Sequence, residues 1–384
     1  MGLVGLAHAT SHFSHLLLPP LFPVFMRDFG LSYSDVGLLM SVFFVVSGIG
    51  QASSGFLVDR VGARPVLFAS IILFMLSALT ASMANGYGML MLSALLAGLG
   101  NAPFHPVDFS ILNQRVSAPR LGHAFSVHGL TGSLGWALSP VFLVGISALA
   151  DWRVAYQAAV VLYVGVFALL YWQRDKLRTE VVVRHPDSHA HSDVAFMKLP
   201  VVWWCFAFFL LSTMTLAVVQ TYSASILKAM HDVTLEAATF TLTAYMLSTA
   251  LGMLVGGFVA SHTQQTDRVV ASAMAAGAAL LLLCATGWLG GTGTMVVLAA
   301  TGFAVGVGGP SRDMMIKRAT PKGATGRVYG TVYSGLDTGF AVSPLIFGVF
   351  MDKGWYAATL AGAGCVLLLS VYAAVGVGRR TVRA

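Results

Sequence analysis

The sequence predicts an all-α membrane protein, with twelve transmembrane helices arranged as two pseudo-symmetric six-helix bundles. Three observations carry that expectation: an apolar composition, a dozen apolar runs of membrane-crossing length, and a glycine–proline pattern that recurs at a fixed offset. The 384 residues are 57% hydrophobic and only 10% charged, with a mean hydropathy of +0.79. That balance excludes a water-soluble globular domain. A bilayer core needs about 20 apolar residues per helix. Such runs fall at 3–27, 33–57, 65–84, 87–113, 122–148, 152–173, 198–226, 235–261, 268–289, 292–316, 325–350 and 355–378. They must be helical because lipid offers no partner for backbone N–H and C=O groups. No segment alternates in the way of barrel strands.

The first run has no basic residue before Arg27 and contains three histidines, so it reads as a retained helix and not as a cleaved signal. Cys205, Cys284 and Cys365 each stand alone in an apolar span, which leaves neither a disulfide framework nor a zinc spacing. The net charge is +7, but its placement speaks of topology and not of nucleic acid. Seventeen of the 22 Lys and Arg fall in alternate loops and the C-terminal tail, four in the opposite loops, and Arg312 lies within a span. By the positive-inside rule both termini are expected in the cytoplasm of a bacterial inner membrane.

The one long hydrophilic connection, residues 174–197, separates an N-terminal bundle (1–173) from a C-terminal one (198–384). Its His185, His189 and His191 read as part of a solvated linker, since a flexible loop defines no metal geometry. A gap-free shift of 204 positions brings Pro106 onto Pro310, Gly122 onto Gly326 and Gly135 onto Gly339. It also brings Ala137 onto Ala341, Ser139 onto Ser343 and Pro140 onto Pro344. Glycine and proline govern how closely helices pack and where they bend, so the coincidence implies one architecture built twice. Two parallel repeats with a site between them near mid-membrane are a transporter design.

The segment after the second span, "GFLVDRVGARPVL", resembles the signature loop of the major facilitator superfamily, G-x-L-x-D-R-x-G-x-R. It matches at Gly55, Leu57, Asp59, Arg60, Gly62 and Arg64. With the twelve spans and the central linker, the likeness covers the whole chain. The resemblance implies that Gly55, Asp59, Arg60, Gly62 and Arg64 form a gating loop. Asp59 would meet the start of the eleventh helix near Thr325 and Gly326 and latch the cytoplasmic side. Gly55 is expected to let two helices approach closely. A narrower resemblance, to the fosmidomycin-resistance-type branch, rests on Phe104–Pro106 and on "GLTGSLGWALSP", Gly129 to Pro140. Ser139 stands where drug/proton antiporters carry a glycine, and Ala94 where many carry an arginine.

Polar residues inside the spans supply the candidate site. An ionisable group at this depth costs roughly 2.5–3.5 kcal/mol on insertion scales unless it faces a cavity or a partner. Asn101, His105 and Asp108 share one helix face, as do His8, His12 and His15 in the first span. Ser126 and His128 in the fifth span, Gln220 in the seventh, Arg312 and Asp313 in the tenth and Asp337 in the eleventh complete the set of substrate and proton candidates. Asp108 and Arg312 are equivalent under the repeat, so an ion pair closing the inner gate is expected; direct binding of an anionic substrate is the competing role for Arg312.

Histidines and carboxylates in a cavity can also carry protons, with Asp337, His105 and His128 as the leading carriers. The expected function is therefore secondary active transport of a small organic solute by alternating access. A proton gradient supplies the energy, no cofactor is needed, and the protein is expected to act as a monomer in the lipid bilayer. The alternative is a copper importer using His8, His12, His105 and Met246, with Met214 and Met253 nearby. An intramembrane enzyme or a sensor would leave the repeat and the signature loop unexplained, since H-E-x-x-H is absent.

Overall fold

The computed structural model describes residues 1–117, 120–179, 195–319 and 325–381; the side chains of Asp59 and Ser126 are among those outside the described set. So are the linker histidines 185, 189 and 191, and the side chain of Thr325 expected beside Asp59. The chain divides into two compact units, Met1–Arg184 and His185–Ala384. The first holds α1 (Gly2–His15), a 3-10 turn (Pro19–Leu21), α2 (Phe22–Phe29), α3 (Tyr33–Val61), α4 (Ala63–Ser82), α5 (Tyr87–Asn101), α6 (Phe104–Arg115), α7 (Leu121–Leu149) and α8 (Trp152–Trp172). The second holds α9 (Pro200–His231), α10 (Leu235–His262), α11 (Thr266–Ala285), α12 (Gly290–Ala319), α13 (Thr325–Asp352) and α14 (Tyr356–Thr381).

Eleven segments among the described residues are single helices, or α5 with α6, long and apolar enough to cross a bilayer. The expected first span is the twelfth, and it is not one helix. Pro19, Pro20 and Pro23 remove backbone donors and disfavour helical geometry just before them, so α1 ends at His15 and the chain restarts as α2. The carbonyls freed at the break are satisfied from other helices. Ser139 Oγ donates to the Leu16 oxygen at 2.9 Å, and Tyr156 Oη to the Leu17 oxygen at 2.9 Å. The fourth span is likewise divided, at Ala102 and Pro103, into α5 and α6.

The two units reuse one packing plan. In the first, α1 lies on α7, α3 on α5, and α4 on α5 and α8; in the second, α9 lies on α13, α10 on α12, and α11 on α12 and α14. The repeated glycines explain the closest of these pairs. A Cβ at Gly135 would run into the Ala9 carbonyl oxygen, and one at Gly339 would meet the Leu210 oxygen and the Thr213 side chain. Ser139 and Ser343 both donate to a carbonyl of their unit's first span, the latter to Met214 O at 2.7 Å.

One sequence expectation is corrected. The segment read as a signature loop is mostly helix: α3 runs on through Asp59 and Arg60 to Val61, and α4 begins at Ala63. Gly62 alone makes the joint, at φ 84°, a region that disfavours residues with a Cβ. The joint is pinned by Thr179, whose Oγ1 accepts from the Ala63 N–H at 2.9 Å, and by the exposed pair of Arg64 and Asp175 at 3.7 Å. A Cβ at Gly55 would meet nothing within 4 Å among the described residues. Tyr222 of α9 is fully buried and donates to the Pro344 oxygen at 3.1 Å.

Candidate functional site

Seven of the predicted residues converge in the first unit, where α1, α5, α6 and α7 meet. Asp108 is completely buried, and its Oδ2 sits 3.0 Å from His8 Nδ1 and 3.0 Å from His128 Nε2. A carboxylate oxygen only accepts, so both imidazoles donate to it. Its other oxygen, Oδ1, has no hydrogen-bond partner among the described residues.

Asn101 is a second hub. Its Oδ1 accepts from Ser11 Oγ at 2.5 Å and from His15 Nε2 at 2.9 Å, while its Nδ2 donates to Ser47 Oγ at 2.8 Å. The indole N–H of Trp136 donates to His15 Nδ1 at 3.2 Å. These bonds assign His15 the neutral Nε2–H tautomer, because an indole can only donate and an amide oxygen can only accept. His105 Nδ1 is 2.9 Å from Gln51 Oε1 and therefore donates to it.

The rings form a continuous cluster, stacked except for a tilted step between His8 and His12. His8 lies on His128 with centroids 3.5 Å apart, and His12 is 4.3 Å from His8, 4.9 Å from His15 and 4.1 Å from Trp136. The absence of a side chain at Gly132 makes room for it, since a Cβ there would fall 2.8 Å from the His12 ring and 3.0 Å from His8. His12 Nδ1 is buried and has no hydrogen-bond partner among the described residues. Five imidazoles, one carboxylate and one carboxamide thus cluster together, and two of their buried polar atoms, Asp108 Oδ1 and His12 Nδ1, have no partner among the described residues.

The predicted residues of the second unit are placed differently. Gln220 is buried in α9, its Nε2 3.9 Å from the sulfur of Met246. Arg312 Nε donates to Asp313 Oδ1 at 2.9 Å, and its guanidinium lies 5.0 Å from the centre of the Phe209 ring. Asp337 is half-buried in the middle of α13. The positions equivalent to His8, His12, His15, His105 and His128 are Ser212, Leu216, Val219, Gly309 and Val332, so the imidazole core belongs to one half of the repeat. Of the four residues named for copper, His8, His12 and His105 are in the first unit and Met246 is in the second.

Sequence reasoning missed Ser11, Ser47, Gln51 and Trp136. Serine, glutamine and tryptophan in apolar helices are common, and only the hydrogen bonds single these out. One signal was available: Ser11 lies three residues after His8 and four before His15, on the same helix face.

The broken first span, the twice-built packing plan and the polar core together define a membrane protein of transporter architecture. The chain matches the Major Facilitator Superfamily over residues 4–289 and 221–383, and it belongs to that family. Among curated relatives, it is 27% identical over 146 residues to the "Probable L-galactonate transporter" of Escherichia coli (strain K12), covering 38% of this chain and 32% of that one. It is 30% identical over 145 residues to the "Probable 4-methylmuconolactone transporter" of Cupriavidus pinatubonensis, covering 37% and 34%. The "Probable nitrate transporter NarT" of Staphylococcus haemolyticus is 24% identical over 154 residues, covering 40% and 39%. These alignments span 32% to 39% of each relative. The same fold is seen in a mutant of the nucleoside transporter NupG, with a TM-score of 0.78, 12% identity and 98% of both chains covered. It is seen again in a bacterial homologue of the human lysosomal transporter Spinster, with a TM-score of 0.73, 13% identity and 99% and 94% covered.

Proposed function

We propose that this protein is a secondary active transporter that moves a small organic solute across the bacterial inner membrane by alternating access, driven by a proton gradient. One observation carries the reading. A chain of the Major Facilitator Superfamily gathers five imidazoles, Asp108 and Asn101 in one half, with His8, His15, His128, Asp108 and Asn101 buried and His12 and His105 half-buried, at positions where the other half of the repeat has Ser, Leu, Val and Gly in place of the imidazoles. Packing alone does not call for such groups, which are costly in a membrane interior and mark solute and ion paths. The solute meets this polar wall, and the half-buried Asp337 of α13 carries the coupled proton. The relatives are named for L-galactonate, 4-methylmuconolactone and nitrate. A substrate panel therefore starts with sugar acids, carboxylated lactones and small inorganic anions.

The test is uptake into proteoliposomes with and without an imposed pH gradient. At least one panel solute is expected to accumulate faster with the gradient than without it. Asp337→Asn should abolish that acceleration while solute exchange at equal pH continues. A gradient that changes no uptake rate, or an Asp337→Asn protein that still responds to it, contradicts proton coupling through this residue.

A further inference from the structure

We propose that His8, Asp108 and His128 form a binding site for a divalent transition metal of borderline softness, of the Zn²⁺ and Co²⁺ class. The donor atoms of the three residues lie within 4.8 Å of one another, and all three residues are buried. They come from α1, α6 and α7, so an ion held there ties three helices of the first unit together.

The spacing already suits a metal. Zinc binds imidazole nitrogen and carboxylate oxygen at about 2.0–2.2 Å, which places tetrahedral ligands about 3.3 Å apart. Both imidazole nitrogens stand 3.0 Å from Asp108 Oδ2 and the whole donor set lies within 4.8 Å, so an ion seated here requires each ring to carry its proton on the other nitrogen and the donors to readjust by about an ångström. The leftover atoms point the same way. Asp108 Oδ1 is buried without a partner among the described residues, and an orphaned carboxylate oxygen in an apolar interior is costly. Bidentate coordination would satisfy it. His12 Nδ1 is likewise unpartnered, on the ring next to His8. Two imidazoles and a carboxylate favour Zn²⁺, Co²⁺ or Ni²⁺. Cu(I) prefers thiolate and thioether sulfur, and the trio offers none. The site does not depend on the direction or the coupling of transport.

The experiment uses the full chain, purified and stripped with a chelator, in a background where His185, His189 and His191 are replaced by Ala to silence the linker. Titration with Co²⁺ should give one ion per chain with a visible d–d band of tetrahedral type, and Zn²⁺ should displace it. Zinc-edge X-ray absorption should show two imidazoles and oxygen donors. Asp108→Asn and His128→Gln should each weaken binding by on the order of 100-fold, at least as much as loss of an outer-shell partner does. His262→Ala, an exposed histidine of α10, should leave it unchanged. Absence of one-to-one binding below millimolar metal, a shell without two imidazoles, or full affinity in both site variants overturns the proposal. If either variant fails to fold, the stoichiometry and the absorption shell of the parent protein decide. Uptake by chelated proteoliposomes reads the transport proposal separately, so the two can fail independently.

Discussion

Asn101 shows how much rests on single side chains in this interior. Its amide joins Ser11 and His15 of the first span to Ser47 of the second, and through His15 it reaches Trp136 of α7. Each bond is modest in a membrane protein, averaging about 0.6 kcal/mol in double-mutant cycles. Removing the hub strands several buried groups at once. Asn101→Leu is therefore expected to destabilise the purified protein by about 1–3 kcal/mol, measured by unfolding in mixed micelles. Ser47→Ala, which removes one bond only, should cost less. Equal effects would show that the amide is not a hub. At this scale the sequence was legible for the costly groups: Asn101, His105, Asp108 and the three histidines of the first span are conspicuous among apolar neighbours. Their partners were not, because Ser11, Ser47 and Gln51 look like any tolerated polar residue until a distance identifies them.

At the scale of elements, the contact between α1 and α7 organises the site. The helices touch backbone to backbone at Gly135, and Gly132 gives the His12 and His8 rings their place on the α7 surface. Gly135→Ala should push α1 away, with an overpacking cost of about 1–3 kcal/mol and a drop in folded yield. Gly129→Ala is the matched control, since a Cβ there meets nothing within 4 Å. Comparable losses in both variants, read by thermal stability in detergent, would refute the close approach as the cause. Hydropathy located the helices but hid their interruptions. A window of apolar residues does not register that Pro19, Pro20 and Pro103 end helices inside a span, although those prolines were in plain view. The joint at Gly62 was misread as a loop for the opposite reason. Charged residues there continue α3 for more than a turn beyond its apolar stretch.

At the scale of the whole molecule, one packing plan is built twice and made polar once. The 204-residue offset exposed the repeat because glycine and proline constrain backbone geometry, and Gly135 with Gly339 confirm it as matching close approaches. The assignment of work to the halves follows from what the offset does not preserve. Histidines in one half correspond to serine, leucine, valine and glycine at the equivalent positions of the other. In the proposed mechanism the first half supplies the polar wall that a solute meets, and the second supplies Asp337. The most direct test of that wall is whether water reaches it. His105→Cys, made in a chain with Cys205, Cys284 and Cys365 changed to Ser, should react with a membrane-impermeant thiol reagent in intact, sealed vesicles. A position 105 that stays unlabelled in folded protein, yet labels fully after denaturation, would mean that the clustered imidazoles line no transport path.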